Sequence, residues 1–168
     1  MKRYTLPRIW VVSITFVGLA ASVAAEEPLL TDRPDFTESS SSVGPGVFQM
    51  ESGVTYADLH SGTDVATVGE ILARWGVFEK LELRFLLPTY AREGGEGSSA
   101  SGFLSSGIGL KYELAEGDGS GFLGGMEAAL IASTSIPTGT SDFASSKWRP
   151  SVVFATSWEL GPNVGIGT

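Results

Sequence analysis

Leu81-Glu82-Leu83-Arg84-Phe85-Leu86-Leu87 sets Leu81, Leu83, Phe85 and Leu87 on one side of an extended chain and Glu82 and Arg84 on the other. Successive side chains of a strand point to opposite faces, so one face is apolar and the other ionic. The same period of two runs outward in both directions. From Phe48 to Tyr56, Phe48, Met50, Val54 and Tyr56 oppose Gln49, Glu51, Gly53 and Thr55. Between Ala66 and Val77, Ile71, Ala73, Trp75 and Val77 oppose Glu70, Leu72 and Arg74. From Leu104 to Leu114, Ile108, Leu110, Tyr112 and Leu114 oppose Gly107, Gly109, Lys111 and Glu113. From Phe122 to Ile136, Met126, Leu130 and Ala132 oppose Gly125, Glu127 and Ser133, and from Trp148 to Leu160, Val152, Phe154 and Trp158 oppose Arg149, Ser151 and Glu159. A seventh strand opens at Asn163. These segments run about 9 to 13 residues, against the roughly 9 to 11 that a tilted strand needs to cross a bilayer. The pattern predicts an all-β fold: an antiparallel transmembrane up-and-down β-barrel, incomplete, with about six to seven strands present.

Residues 1–25 stand apart from this pattern. Lys2, Arg3 and Arg8 lead into an apolar run from Ile9 to Ala21 and a small-residue stretch ending at Ala25, the layout of a cleaved secretory signal helix. Removing it takes away three basic and no acidic residues, so the net charge goes from −8 to −11. That acidity argues against nucleic acid as a partner. The absence of cysteine excludes a disulfide framework and a lipoprotein-type anchor. No stretch of the remaining chain approaches the ~20 consecutive apolar residues of a spanning helix, whereas half the residues of a barrel strand are polar.

A polar segment, residues 26–46, follows, with prolines and the serines Ser39 to Ser42 that argue against a helix or an inner strand. It is expected on the periplasmic side, at the barrel mouth, leaving residues 47–168 as a partial barrel. The connections support this topology, because outer-membrane barrels pair short periplasmic turns with longer outer loops. With the first strand running outward, His60 to Thr63, Thr89 to Gly102 and Thr138 to Ser146 are external loops. Glu79-Lys80, Ala115 to Ser120 and Gly161-Pro162 are periplasmic turns. The chain stops at Thr168 part-way into a strand, so it reads as a fragment of a longer barrel.

Several stretches resemble the family of outer-membrane transporters named for the MetA pathway of phenol degradation. They are Thr31-Asp32-Arg33-Pro34-Asp35-Phe36-Thr37-Glu38, Gln49-Met50-Glu51-Ser52-Gly53-Val54-Thr55-Tyr56, Leu81-Glu82-Leu83-Arg84, Gly107-Ile108-Gly109-Leu110-Lys111-Tyr112-Glu113-Leu114 and Ile136-Pro137-Thr138-Gly139. Phe103 to Ser106 departs from the pattern, where a glycine and an aspartate are expected. The resemblance implies a barrel and uptake of hydrophobic or aromatic compounds, and supplies no catalytic residues.

The predicted interior carries Glu51, Glu70, Arg74, Glu82, Arg84, Lys111, Glu113, Glu127, Arg149 and Glu159. Such charges either select solutes in an open pore or pair across strands and fill a narrow barrel. Glu82 and Arg84 are the pair expected to join such a ladder. Asp32, Asp35 and Glu38 read as a solvated acidic segment, without the ligand-dense spacing of a calcium loop. His60 stands alone, so no metal site is expected. Ser105, Ser106, Ser133 and Ser135 lack a histidine partner, and no Gly-x-Ser-x-Gly turn is present, so no catalytic residue is expected. Gly94 to Gly97 and Gly117 to Gly121 are hairpin turns rather than phosphate loops, having neither the lysine nor the following helix. No cofactor is implied.

The leading expectation is therefore a channel of the Gram-negative outer membrane for passive uptake of small solutes. It would meet outer-membrane lipid, the outer-membrane assembly machinery and a small-molecule solute. A plugged structural or interaction barrel, and a soluble periplasmic ligand-binding barrel, are the alternatives.

Overall fold

A computed structural model describes residues 8–16, 32, 38–59, 62–95, 98–117, 125–161 and 164–167, with side chains described outside 8–16, 159–161 and 164–165. It is all-β and antiparallel: β1 (Arg8–Phe16), β2 (Phe48–Leu59), β3 (Thr63–Val68), β4 (Leu72–Phe78), β5 (Leu81–Leu86), β6 (Tyr90–Gly95), β7 (Ser98–Phe103), β8 (Ser106–Ala115), β9 (Met126–Ile136), β10 (Arg149–Gly161) and β11 (Val164–Gly167). They form one sheet in the order β11-β10-β9-β8-β5-β4-β2-β3-β6-β7, with β1 on the other edge of β2, and the sheet does not close. No helix among the described residues is long and apolar enough to cross a membrane.

Short strands combine into long meander arms. Along one edge of β2, β4 pairs with Phe48 to Glu51 and β3 with Val54 to Leu59, so β3 and β4 are two halves of one arm interrupted at Gly69, where φ is 73°. In the same way β6 continues β5 past Leu87 to Thr89, and β7 leads into β8 past Leu104 and Ser105. The seven sequence-predicted strands are thus recovered as seven arms.

Two expectations change. Thr89 to Gly102 is not a loop but belongs to the β6–β7 hairpin, at whose base Tyr90 and Phe103 pack edge to face at 5.6 Å. Beyond that pair the residues of the apolar-face parity are Arg92, Gly94, Ser99 and Ser101, so both faces are polar or small and the alternation disappears. The signal helix is not seen over residues 8–16, which pair as β1 from Arg8↔Asp58 to Phe16↔Met50. Ile9-Trp10-Val11-Val12-Ser13-Ile14-Thr15-Phe16 is rich in β-branched and aromatic residues, and the edge of β2 offers unpaired backbone groups to it. His60 and residues 118–124 lie outside the described residues, as does the Pro162 turn position.

One face of the sheet carries the exposed apolar residues, among them Phe48, Trp75, Phe85, Leu110, Tyr112 and Phe154. The other face is covered by the N-terminal segment. Ser40 bonds Glu127 on β9 and Ser157 on β10, while Val43 N–H donates to Glu82 on β5. Laid flat, the strands from β10 to β5 would span about 14 Å; the three residue steps between Ser40 and Val43 cover at most about 10 Å. The sheet curls round the segment, and long side chains close the remaining gap.

Gly44-Pro45-Gly46-Val47 then turns the chain into β2. Val47 N–H donates to the Gly44 carbonyl at 3.1 Å, with Pro45 second and Gly46 third at φ 79°, the layout of a type II turn. Beneath it, Gly76 gives the segment room: a Cβ there would overlap the carbonyl oxygens of Gly44 and Val43. Gly76→Ala is expected to cost about 1–3 kcal/mol in urea unfolding and to speed proteolysis within residues 38–46. Unchanged stability and proteolysis would show that the segment does not sit this close.

Candidate functional site

Register places the ionic residues side by side. On the covered face Gln49 stands opposite Arg74, Arg74 opposite Arg84, and Glu82 opposite Lys111. Neighbouring strands are about 4.8 Å apart, so residues in such rows touch. Arg74, Glu82 and Lys111 are 0% exposed and Glu51 1%. Arg74 grips Glu82 in a two-pronged pair, Nε to Oε1 and Nη2 to Oε2 at 2.8 Å each, and its Nη1 reaches Glu51 Oε1 at 3.3 Å. Planar guanidinium and carboxylate groups suit this geometry. Glu82 also lies 3.8 Å from Arg84 Nε, a secondary contact beside its pairing with Arg74.

The N-terminal segment completes the cluster. Asp32 is 7% exposed, and its Oδ2 lies 2.5 Å from Lys111 Nζ and 3.2 Å from both Arg74 Nη2 and Arg84 Nη1. Ser39 N–H donates to its other oxygen at 2.8 Å, and its own N–H donates to both oxygens of Glu51 at 3.1 Å. Glu38 takes Arg84 Nη2 at 2.8 Å from the solvent edge. The Ser41 carbonyl accepts from Lys111 at 2.9 Å, and Ser42 N–H donates to Glu113.

Further along the face, Glu127 Oε2 accepts hydroxyls from Ser40 at 2.9 Å, Ser41 at 3.1 Å and Ser157 at 3.0 Å. At the turn end, a hydrogen bond and the charge of Glu116, 3.0 Å away, raise the pKa of exposed Lys80. Such exposed pairs contribute little to stability.

The structure therefore brings together Glu51, Arg74, Glu82, Arg84 and Lys111, with Glu113 and Glu127 on the same face. It separates the others. Glu70 lies between β3 and β4, accepting from Thr55 and Thr67 hydroxyls. Arg149 is exposed at the start of β10, and Glu159 stands opposite Gly165 with its side chain outside the described residues.

Asp32 corrects the expectation of a solvated acidic segment: it is buried because the strand cations bind it more strongly than water can. The one signal for this in the sequence is that Asp32 sits in the Thr31-to-Glu38 stretch on which the family resemblance rests. Periodicity reads strands and passes over a non-periodic segment.

Removing Arg74 would leave Asp32, Glu51 and Glu82 facing one another without their shared cation. Arg74→Met is expected to lower stability by about 3–5 kcal/mol in urea, the usual effect of orphaning a buried charge. Glu127→Gln, which disturbs only hydroxyl donors, is expected to cost about 1–3 kcal/mol. Equal losses from the two substitutions would contradict this hierarchy.

A family model described as "Putative MetA-pathway of phenol degradation" matches residues 31–168. No curated protein matches the chain, and no solved structure does. The matched range takes in both the segment that bears Asp32 and every strand from β2 to β11. Matched over that range, the chain belongs to the family of the MetA pathway of phenol degradation.

Proposed function

We propose that this protein is an outer-membrane β-barrel that passes small solutes by diffusion, with its interior closed at rest by the N-terminal segment. The observation that carries the reading is the opposition of the two faces. Exposed apolar side chains cover one face, while the other buries a charge cluster that no lipid could solvate. On β2 the apolar face runs from Phe48 to Tyr56. Those eight residue steps span about 27 Å along the strand, or about 20 Å of height at about 40° tilt, near the about 25 Å belt of such barrels.

Aromatic residues rim this band. Phe48, Trp75, Phe78 and Tyr112 lie towards the β4–β5 turn, and Tyr56, Tyr90 and Phe103 towards the opposite end, with exposures from 40% for Tyr90 to 65% for Phe78. Rings of this kind suit the boundary between hydrocarbon and headgroups. The polar hairpin β6–β7 would then stand clear of the membrane on the outer side. Residues 1–25 would direct export, and the assembly machinery of the outer membrane would insert the barrel. The reading needs no cofactor or catalytic group.

A second reading, a filled barrel with a structural or interaction role, is favoured by one observation: Arg74 and Lys111 are 0% exposed beneath the segment. Planar-bilayer recording separates the two. Steady conductance steps support the channel; a folded, inserted and silent protein supports the filled barrel.

The membrane assignment has its own test. Leu110 lies mid-band on the apolar face, opposite Leu83 and Ala132. Leu110→Arg is expected to cost about 2–4 kcal/mol in urea unfolding from lipid vesicles. At a water-exposed position the same change would stay within about 0.5 kcal/mol, and that result would sink the membrane reading.

A further inference from the structure

Glu51, Arg74, Glu82, Arg84 and Lys111 form the strand-borne part of the cluster, three cations against two carboxylates. Glu113 and Glu127 share the face, but among the described residues they bond to serines of the segment and of β10, not to these cations. The strands therefore leave one positive charge in excess, withdrawn from water. Asp32 neutralises it at the buried centre, while Glu38 meets Arg84 from the solvent edge, and neither belongs to a strand.

Two details mark this position as a ligand site rather than a simple ladder. All three cations converge on one oxygen, Asp32 Oδ2. Arg84 Nη1 is buried and ion-paired with that oxygen at 3.2 Å, yet makes no hydrogen bond among the described residues, so the Asp32 carboxylate leaves one donor at the site incompletely satisfied. The surroundings also select the anion. A phosphate dianion would overshoot a site short of one charge, and surplus buried charge is costly. Leu72, two residues from Arg74, and Ile131, opposite Lys111, are buried on the same face and supply apolar contact beside the cations.

We propose that Arg74, Arg84 and Lys111 form a binding site for a small organic monocarboxylate with an apolar body, and that Asp32 occupies it as an internal competitor. The proposal rests on the reading that the charged face lines a barrel interior, and it names the class of solute and the step that admits it. A solute carboxylate takes the place of the Asp32 carboxylate. Residues 38–43, held through Ser39, Ser41 and Val43, then lose the Asp32 carboxylate to which Ser39 N–H donates.

Benzoate is a suitable probe and benzyl alcohol its neutral control, with equilibrium dialysis against the refolded protein as the measurement. Asp32→Asn is expected to tighten benzoate binding about ten-fold or more, because a competitor keeps the open state to about a tenth or less of the population. Adding Arg84→Gln should abolish that gain, and benzyl alcohol should bind none of the three proteins. Equal benzoate affinity in wild type and Asp32→Asn, or equal binding of the alcohol, would overturn the proposal.

Should Asp32→Asn fail to fold, Val43→Cys provides an independent reading in a chain that has no other cysteine. Val43 is 5% exposed, so maleimide reaches position 43 only when the segment lifts. Benzoate is expected to speed its modification several-fold, and an unchanged rate would overturn the competition. Benzoate binding that follows Asp32 and Arg84 in a protein needing no detergent would uphold the carboxylate site while overturning the membrane reading.

Discussion

Burying Arg74, Arg84 and Lys111 on one sheet face removes three cations from water, at several kcal/mol each, and Glu51 and Glu82 cannot neutralise all of them. A further carboxylate has to come from elsewhere in the chain, and Asp32 supplies it. Much of the inner face follows from that need. The chain must run from Asp32 across the strands, so Ser41 and Val43 offer backbone groups to Lys111 and Glu82. It must then reverse into β2, which the Gly44-to-Val47 turn accomplishes. Where it passes closest, the sheet beneath has to be glycine, and Gly76 stands there.

The same charges hold the register of the sheet. Because side chains alternate with a period of two, a slip of one residue would carry Glu82 and Arg84 into the apolar band and Leu83 into the charge cluster. Both faces would lose at once: ions would enter the apolar surface on one side and unpaired partners would remain on the other. Exposed apolar residues alone specify register weakly, because a slip of two leaves the apolar face equally apolar. Ion pairs, which demand particular partners, remove that freedom, because Arg74 takes Glu82 and Glu51 on the neighbouring strands and Lys111 takes Asp32.

The alternation of Leu81 to Leu86 and Phe48 to Tyr56 is legible because each strand there separates an apolar face from a buried ionic one, residue by residue. Tyr90 to Phe103 is not, because beyond the Tyr90–Phe103 pair both faces carry polar or small residues and there is no contrast for a period of two to report. The charged site was legible in part. Glu82 and Arg84 were recognised as sharing a face, but the dominant partner of Glu82 is Arg74, set by the pairing of β4 with β5 rather than by closeness in sequence. Asp32 escaped because its burial depends on four strands that the local sequence does not contain.

The edge of β2 follows from the same physics of unpaired groups. Nine residues of β1 lie along it in unbroken register, on the side that neither β3 nor β4 occupies. On the proposed membrane reading this edge would lie in hydrocarbon and would have to be paired, since each unsatisfied backbone group there costs several kcal/mol. β1 lies within the residues read as a cleaved signal, so cleavage near Ala25 would vacate this edge, and a closed barrel requires another strand to take it. That strand faces a strict condition. It must set apolar residues level with Met50, Val54 and Tyr56, and small or polar ones level with Glu51 and Gly53. The seam of such a barrel is therefore specified by the same two-faced alternation as its walls, and its inward side lies beside the carboxylate of Glu51 that anchors Asp32.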